Sequence, residues 1–162
     1  MKKRILLLLL SVAFILNASA QTPQLYNPFA NAKADIANAV SRAGNEGKHV
    51  FLQIGGNWCV WCLRFNQLIL ENDTLSTVMN KNFIVVHVNY SKENRNEETL
   101  ATLGFPQRFG FPVFVILDGK GNRLHTQNSA YLEQGEGHST KKVLDFLNAW
   151  TPKALDPKSY KK

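Results

Sequence analysis

Cysteine is nearly missing from this chain, with two residues, Cys59 and Cys62, among 162. So few exclude a small fold stapled by several disulfides. There is no second C-x-x-C and no H-x-x-x-H, so the pattern lacks the four Cys and His ligands of a structural zinc site; His49 or His87 would complete one only by coincidence of the fold. Leucine, not histidine, follows Cys62, which removes a c-type haem attachment. The longest apolar run, residues 5–16, has twelve positions, too few to anchor a chain across a bilayer. A basic binding face is missing too. Apart from Lys2-Lys3-Arg4, which supply three of the formal net +7, the remaining positive charge is spread out and not interleaved with aromatics, which makes nucleic acid a poor partner. Internal repeats and low-complexity segments are absent.

What is there is the composition of one globular domain, 44% hydrophobic and 19% charged, long enough to bury a proper core. Its first residues are of another kind. Lys2-Lys3-Arg4, the run 5–16 and the small-residue exit Ala18-Ser19-Ala20 are the three parts of a secretory signal peptide, with the cut after Ala20. Cleavage removes three positive charges and takes the net charge from +7 to +4. No cysteine follows the cut to carry a lipid. The expected organisation is a signal peptide over 1–20, one domain over 21–150 and a basic, frayed tail over 151–162. Such a protein is periplasmic or secreted and keeps no stable membrane anchor.

Along the domain, 21–28 reads as an extended lead-in, and 31–42 as a helix with Ile36, Ala39, Val40 and Ala43 in one stripe, stopped by 44–47. Residues 50–54 form a buried strand, followed by a helix with Cys62, Phe65, Leu68 and Ile69 inward, and a short helix over 75–80 capped by Asn72 or Asp73. Phe83–Asn89 is a near-continuous apolar run, the pattern of a central parallel strand; within it His87 is a satisfied core residue. A short helix opens in 94–99 and ends at Gly104. Val113–Leu117 and 123–127 flank the turn 118–122 as a hairpin. A loop over 128–138 leads to a last helix through Trp150, capped by Ser139 or Thr140, with Val143, Leu144, Phe146 and Leu147 inward.

The chemistry concentrates in Gly55-Gly56-Asn57-Trp58-Cys59-Val60-Trp61-Cys62-Leu63. Three residues are close to one helical turn, so both sulfurs lie on one face and bond without distorting the backbone. With Asn57 as cap, Cys59 lies in the first turn, where free backbone N–H groups and the helix dipole favour a thiolate, the form that attacks disulfides. Cys59 is the candidate nucleophile and Cys62 the candidate resolving thiol. An inert structural disulfide is the competing reading, since exported proteins often pair two cysteines. A bridge across three residues constrains the unfolded chain least, which favours redox chemistry.

A strand, then Trp-Cys-x-x-Cys opening a helix, then Phe111-Pro112 just before a later apolar strand, resembles the thioredoxin-like superfamily and, within it, the exported bacterial thiol–disulfide oxidoreductases. The likeness spans about residues 29–150. It implies an α/β fold, a three-layer α/β/α sandwich with a central mixed β-sheet. The family's extra first strand would have to come from 25–29. It also implies that Cys59 and Cys62 are catalytic and that Trp58, Trp61, Phe111 and Pro112 meet the substrate. Trp58 would shield the first sulfur, Trp61 would project to solvent or to a partner, and Phe111-Pro112 would be the cis-proline loop facing the cysteines. Gly104-Phe105-Pro106 repeats the tripeptide, but Pro112 directly precedes the strand. Substrates would be protein or peptide disulfides, a redox partner would recycle the pair, and no separate cofactor or metal is needed. The chain departs from the family at Gln53, where many members bury an acid that moves the resolving thiol's proton. Glutamine does not titrate, which leaves water or Glu71. The apolar Val60-Trp61 dipeptide disfavours the thiolate, so the expected direction is disulfide reduction or isomerisation rather than primary oxidation. A binding or chaperone-like module with an inert disulfide is the alternative.

Overall fold

The computed structural model describes residues 24–161. The expected signal peptide lies outside these residues. Twelve regular elements follow in the order α1 (Ala32–Glu46), β1 (His49–Gly55), α2 (Val60–Glu71), α3 (Asp73–Asn82), β2 (Phe83–Asn89), α4 (Glu97–Thr102), β3 (Val113–Leu117), β4 (Arg123–Asn128), β5 (Glu133–Gln134), β6 (Gly137–His138), α5 (Thr140–Ala149) and α6 (Pro152–Leu155). Among the described residues, no helix is long and apolar enough to cross a membrane.

Local chemistry sets these boundaries. Asn31 caps α1 by accepting from the Ala34 N–H at 3.1 Å, and the helix runs through Gly44 to end where Gly47 turns left-handed at φ 63°. Asn72 caps α3 through the Leu75 N–H, and Ser139 caps α5 through the Lys142 N–H. Asp118 closes the β3–β4 turn by accepting from the backbone N–H groups of Lys120 and Asn122, both at 2.8 Å.

The four main strands form one mixed sheet in the order β2-β1-β3-β4. β1 runs parallel to β2, with Val50 opposite Ile84, and antiparallel to β3, with Val50 opposite Leu117. Alternation along β1 divides the core. Val50, Leu52 and Ile54 face α1 and α4, together with Ala39, Ala43 and Leu100. Phe51 faces α2, α3 and α5, where Phe65, Met79, Phe114, Phe146 and Leu147 complete a largely aromatic cluster. Helices on both faces make the expected three-layer α/β/α sandwich.

Four expectations need correcting. β2 is an edge strand, not a central one, and Val85 is exposed on it. Residues 25–29 form bends and turns rather than the extra strand that would cover that edge. The tail is wound rather than frayed: Thr151 caps α6 and is buried, and a 3-10 turn over Pro157–Tyr160 folds back so that the Tyr160 hydroxyl donates to the Ala154 carbonyl at 2.8 Å. The loop expected over 128–138 holds a 3-10 turn at Ser129–Leu132 and the small β5–β6 hairpin, which packs on α2.

Candidate active site

β1 ends at Gly55, and the chain turns through Gly56 and Asn57 into α2. Both glycines are required by close approach. A Cβ on Gly55 would stand 2.3 Å from Cys62 Sγ, and one on Gly56 would stand 2.4 Å from Trp58 Nε1. With no side chain on Gly56, Trp58 folds back over the turn, donates its indole N–H to the Tyr90 carbonyl at 2.7 Å and meets the Phe111 ring edge to face, 5.5 Å between centroids.

Cys59 and Cys62 are joined in a disulfide, with Cα atoms 5.2 Å apart. Cys59, not Asn57, is the helix cap: its Sγ accepts the Cys62 N–H at 3.1 Å. The sulfur expected to carry negative charge thus meets an N–H of the first turn directly, one it shares with the Cys59 carbonyl at 3.0 Å. Cys59 is 5% exposed and Cys62 fully buried, so an approaching group reaches the first sulfur and not the second.

Asn57 has another task. Its side chain accepts the Tyr26 N–H at 3.0 Å and donates to the Tyr26 carbonyl at 2.7 Å, clamping the lead-in onto the site. Tyr26 is thereby buried against both cysteines. Its hydroxyl accepts from Gln53 Nε2 at 2.8 Å, and the same amide donates to the Cys62 carbonyl at 3.0 Å. Burial pushes the Tyr26 phenol well above its ordinary pKa, so it stays protonated. Nothing in the sequence pattern marked Tyr26; its only signal is being an aromatic in a polar lead-in.

The Phe111–Pro112 peptide bond is cis; among the described residues it is the only one. Phe111 lies against the cysteine cluster and stacks near Tyr90, 4.8 Å between centroids, while Pro112 is buried beneath it. Pro106 instead opens a 3-10 turn. Trp58, 60% exposed, borders an open groove of about 1460 Å³ whose other walls include Leu25, Phe29 and Leu63.

The sequence profile of the thioredoxin-like family matches residues 31–119, more than half of the chain. The chain belongs to the thioredoxin-like family. Among curated proteins it is similar to "Disulfide bond reductase DsbH" of Chlamydia pneumoniae, 26% identical over an alignment of 119 residues that covers 66% of this chain and 70% of the relative. Among solved structures, a disulphide isomerase from Xylella fastidiosa Temecula1 superposes with a TM-score of 0.66 at 23% identity, covering 76% of this chain and 94% of that one. The C-terminal domain of Neisseria meningitidis DsbD in the oxidised form gives a TM-score of 0.55 at 16% identity, covering 74% of this chain and 96% of that one. The two structures share the fold with this chain.

Within this thioredoxin-like site, Trp61 packs against the cysteine cluster in a setting other than the expected one, and Glu71 stands elsewhere. Trp61 does not project to solvent: its ring meets His138 of β6 edge-on at 5.7 Å, with the Arg64 guanidinium 5.7 Å from its centroid. Glu71 ends α2, exposed and bonded to Gln67, about three turns from Cys59 and out of reach of either sulfur. His49 bonds the Trp150 carbonyl at the far end of β1, and half-buried His87 meets the Tyr26 ring 5.6 Å away. Neither histidine joins a metal-ligating group; the described residues hold no such group.

His138 went unnoticed in the sequence. Both its ring nitrogens are buried without a partner, and burial lowers its pKa to about 4. The unfolded chain, with an ordinary value of about 6.5, binds this proton first as pH falls. Stability is therefore complete above about pH 6.5 and declines towards pH 4, by about 1–2 kcal/mol once solvent screening is allowed for. Thermal melts of His138→Phe should fall less across that window than those of the wild type; parallel curves would refute the assignment. Burial also lowers the pKa of His87, so a remaining slope of the same sign is expected in both.

Proposed function

We propose that this chain is an exported thiol–disulfide oxidoreductase that reduces or isomerises disulfides in periplasmic proteins. The observation that carries the reading is the pair itself: a disulfide at a helix start, its first sulfur at the rim and its second sealed beneath. In this reading Cys59, as thiolate, attacks a substrate disulfide, and Cys62 then displaces the substrate from the mixed disulfide. Trp58 and Phe111, held edge to face beside the pair, form the apolar rim on which a substrate segment rests, with Pro112 behind Phe111. Trp61 contributes by bracing α2 on the β5–β6 hairpin. The reductase name of the Chlamydia pneumoniae relative supports the reducing direction, as does the apolar Val60-Trp61 dipeptide. A redox partner recycles the pair. Export rests on the leader over 1–20, cut after Ala20, which leaves the domain over 21–150 and its basic C-terminal segment in the periplasm or beyond.

The test is insulin reduction by dithiothreitol. The wild type should accelerate it well above the uncatalysed rate, Cys59→Ser should return it to that rate, and Cys62→Ser should accumulate a mixed disulfide. A wild type no faster than Cys59→Ser would mean an inert disulfide, and the protein would then be a binding module.

A further inference from the structure

Resolution of the mixed disulfide needs Cys62 as a thiolate, yet Cys62 is fully buried, and burial opposes that charge. The amide of Gln53 does not titrate, and its two hydrogens are both engaged, one on Tyr26 Oη and one on the Cys62 carbonyl. Tyr26 Oη, having accepted from Gln53, keeps its own hydrogen to give. In the disulfide form it donates to no acceptor among the described residues, the Cys62 sulfur included, so its hydrogen is available when Cys62 becomes a thiolate. The point a Gly55 Cβ would occupy lies 2.3 Å from Cys62 Sγ and 3.0 Å from Tyr26 Oη, so sulfur and hydroxyl border the same small space. Asn57 fixes the Tyr26 backbone from both sides, so the hydroxyl cannot drift away.

We propose that the Tyr26 hydroxyl donates a hydrogen bond to the Cys62 thiolate and thereby speeds release of the mixed disulfide, a role that rests on the oxidoreductase reading above. In that step the proton of Cys62 has already passed to water. The thiolate bonds to Cys59 Sγ, the bond between Cys59 and the substrate sulfur breaks, and that sulfur leaves with the electron pair and takes a proton from water. Two cysteines are oxidised, one substrate disulfide is reduced, and Tyr26 keeps its proton throughout. The remaining titratable group against Tyr26 is His87, whose pKa is lowered by burial, so it is neutral at and above neutral pH.

The experiment uses the full domain carrying Cys59→Ser, so that Cys62 is the sole thiol, and follows thiolate absorbance in the ultraviolet against pH with and without Tyr26→Phe. Phenylalanine keeps the ring and removes only the hydroxyl. The Cys62 midpoint should rise by about one unit, a roughly tenfold smaller thiolate fraction at neutral pH. With both cysteines present, Tyr26→Phe should form the mixed disulfide at the wild-type rate and release it roughly tenfold more slowly. Gln53→Met, which leaves the hydroxyl but removes the amide that orients it, should shift the midpoint in the same direction by less, and it carries the test if Tyr26→Phe does not fold. An unchanged midpoint and an unchanged release rate overturn the proposal. A raised midpoint in a protein that fails to reduce insulin leaves this contact standing and removes the functional reading instead.

Discussion

Phe51→Ala is expected to cost about 3–5 kcal/mol of stability. Phe51 is fully buried on β1, one of the two interior strands. Its ring has four aromatic neighbours, Phe65, Phe83, Phe114 and Phe146, with centroids 5.3–6.2 Å away. These come from α2, β2, β3 and α5, so the void left by alanine is walled by four elements that cannot all close on it. Thermal or denaturant unfolding measures the loss. A cost below about 1.5 kcal/mol, the range of a volume-conserving swap, would mean that this layer repacks freely.

Much of the fold was legible because the strands announce themselves. Phe83–Asn89 and Val113–Leu117 are apolar runs between polar punctuation, and both form strands with those bounds. Sheet position was not legible. The run over β2 reads as central because Ile84, Val86 and Val88 line the α1 layer, while Phe83 enters the aromatic one. What makes it an edge is the lack of a partner strand over 25–29, and that depends on the rest of the chain rather than on β2. Residue type misled at the helix start for a related reason. Asn57 is a better cap by preference than cysteine, but its side chain is taken by Tyr26, 31 residues away, and the cap falls to Cys59.

At the site, the covalent pair was legible and its surroundings were not. Cys59, Cys62, Trp58 and Phe111 come together as their motif implies. Tyr26 and His138 were invisible because each reaches the site through contacts distant in sequence, from a lead-in and from a two-residue strand. The departure at Gln53 was legible as a missing acid. What replaces that acid became visible only once Gln53 and Tyr26 were seen to share a hydrogen bond.

Gly55→Ala should damage the oxidised protein far more than the reduced one. The glycine's backbone is extended and asks for no special φ, so alanine's own conformation is not the obstacle. The obstacle is space: the added methyl would stand 2.3 Å from Cys62 Sγ, 3.0 Å from Tyr26 Oη and 3.4 Å from Cys62 Cβ. A reduced Cys62 can relieve the clash by turning its thiol to another rotamer, whereas a sulfur bonded to Cys59 cannot turn without moving the start of α2. Gly55 itself cannot retreat, since its carbonyl accepts from the Tyr90 N–H and its strand pairs with Asn89. Overpacking of this kind costs about 1–3 kcal/mol, and here that cost falls mainly on the disulfide form. Each 1.4 kcal/mol of such bias is worth about 30 mV for a two-electron couple, so equilibration against glutathione buffers should find the variant's disulfide reduced about 10- to 100-fold more readily. The melting temperature of the oxidised form should drop while that of the reduced form changes little. Equal drops in both forms would place the strain in the strand rather than at the sulfur.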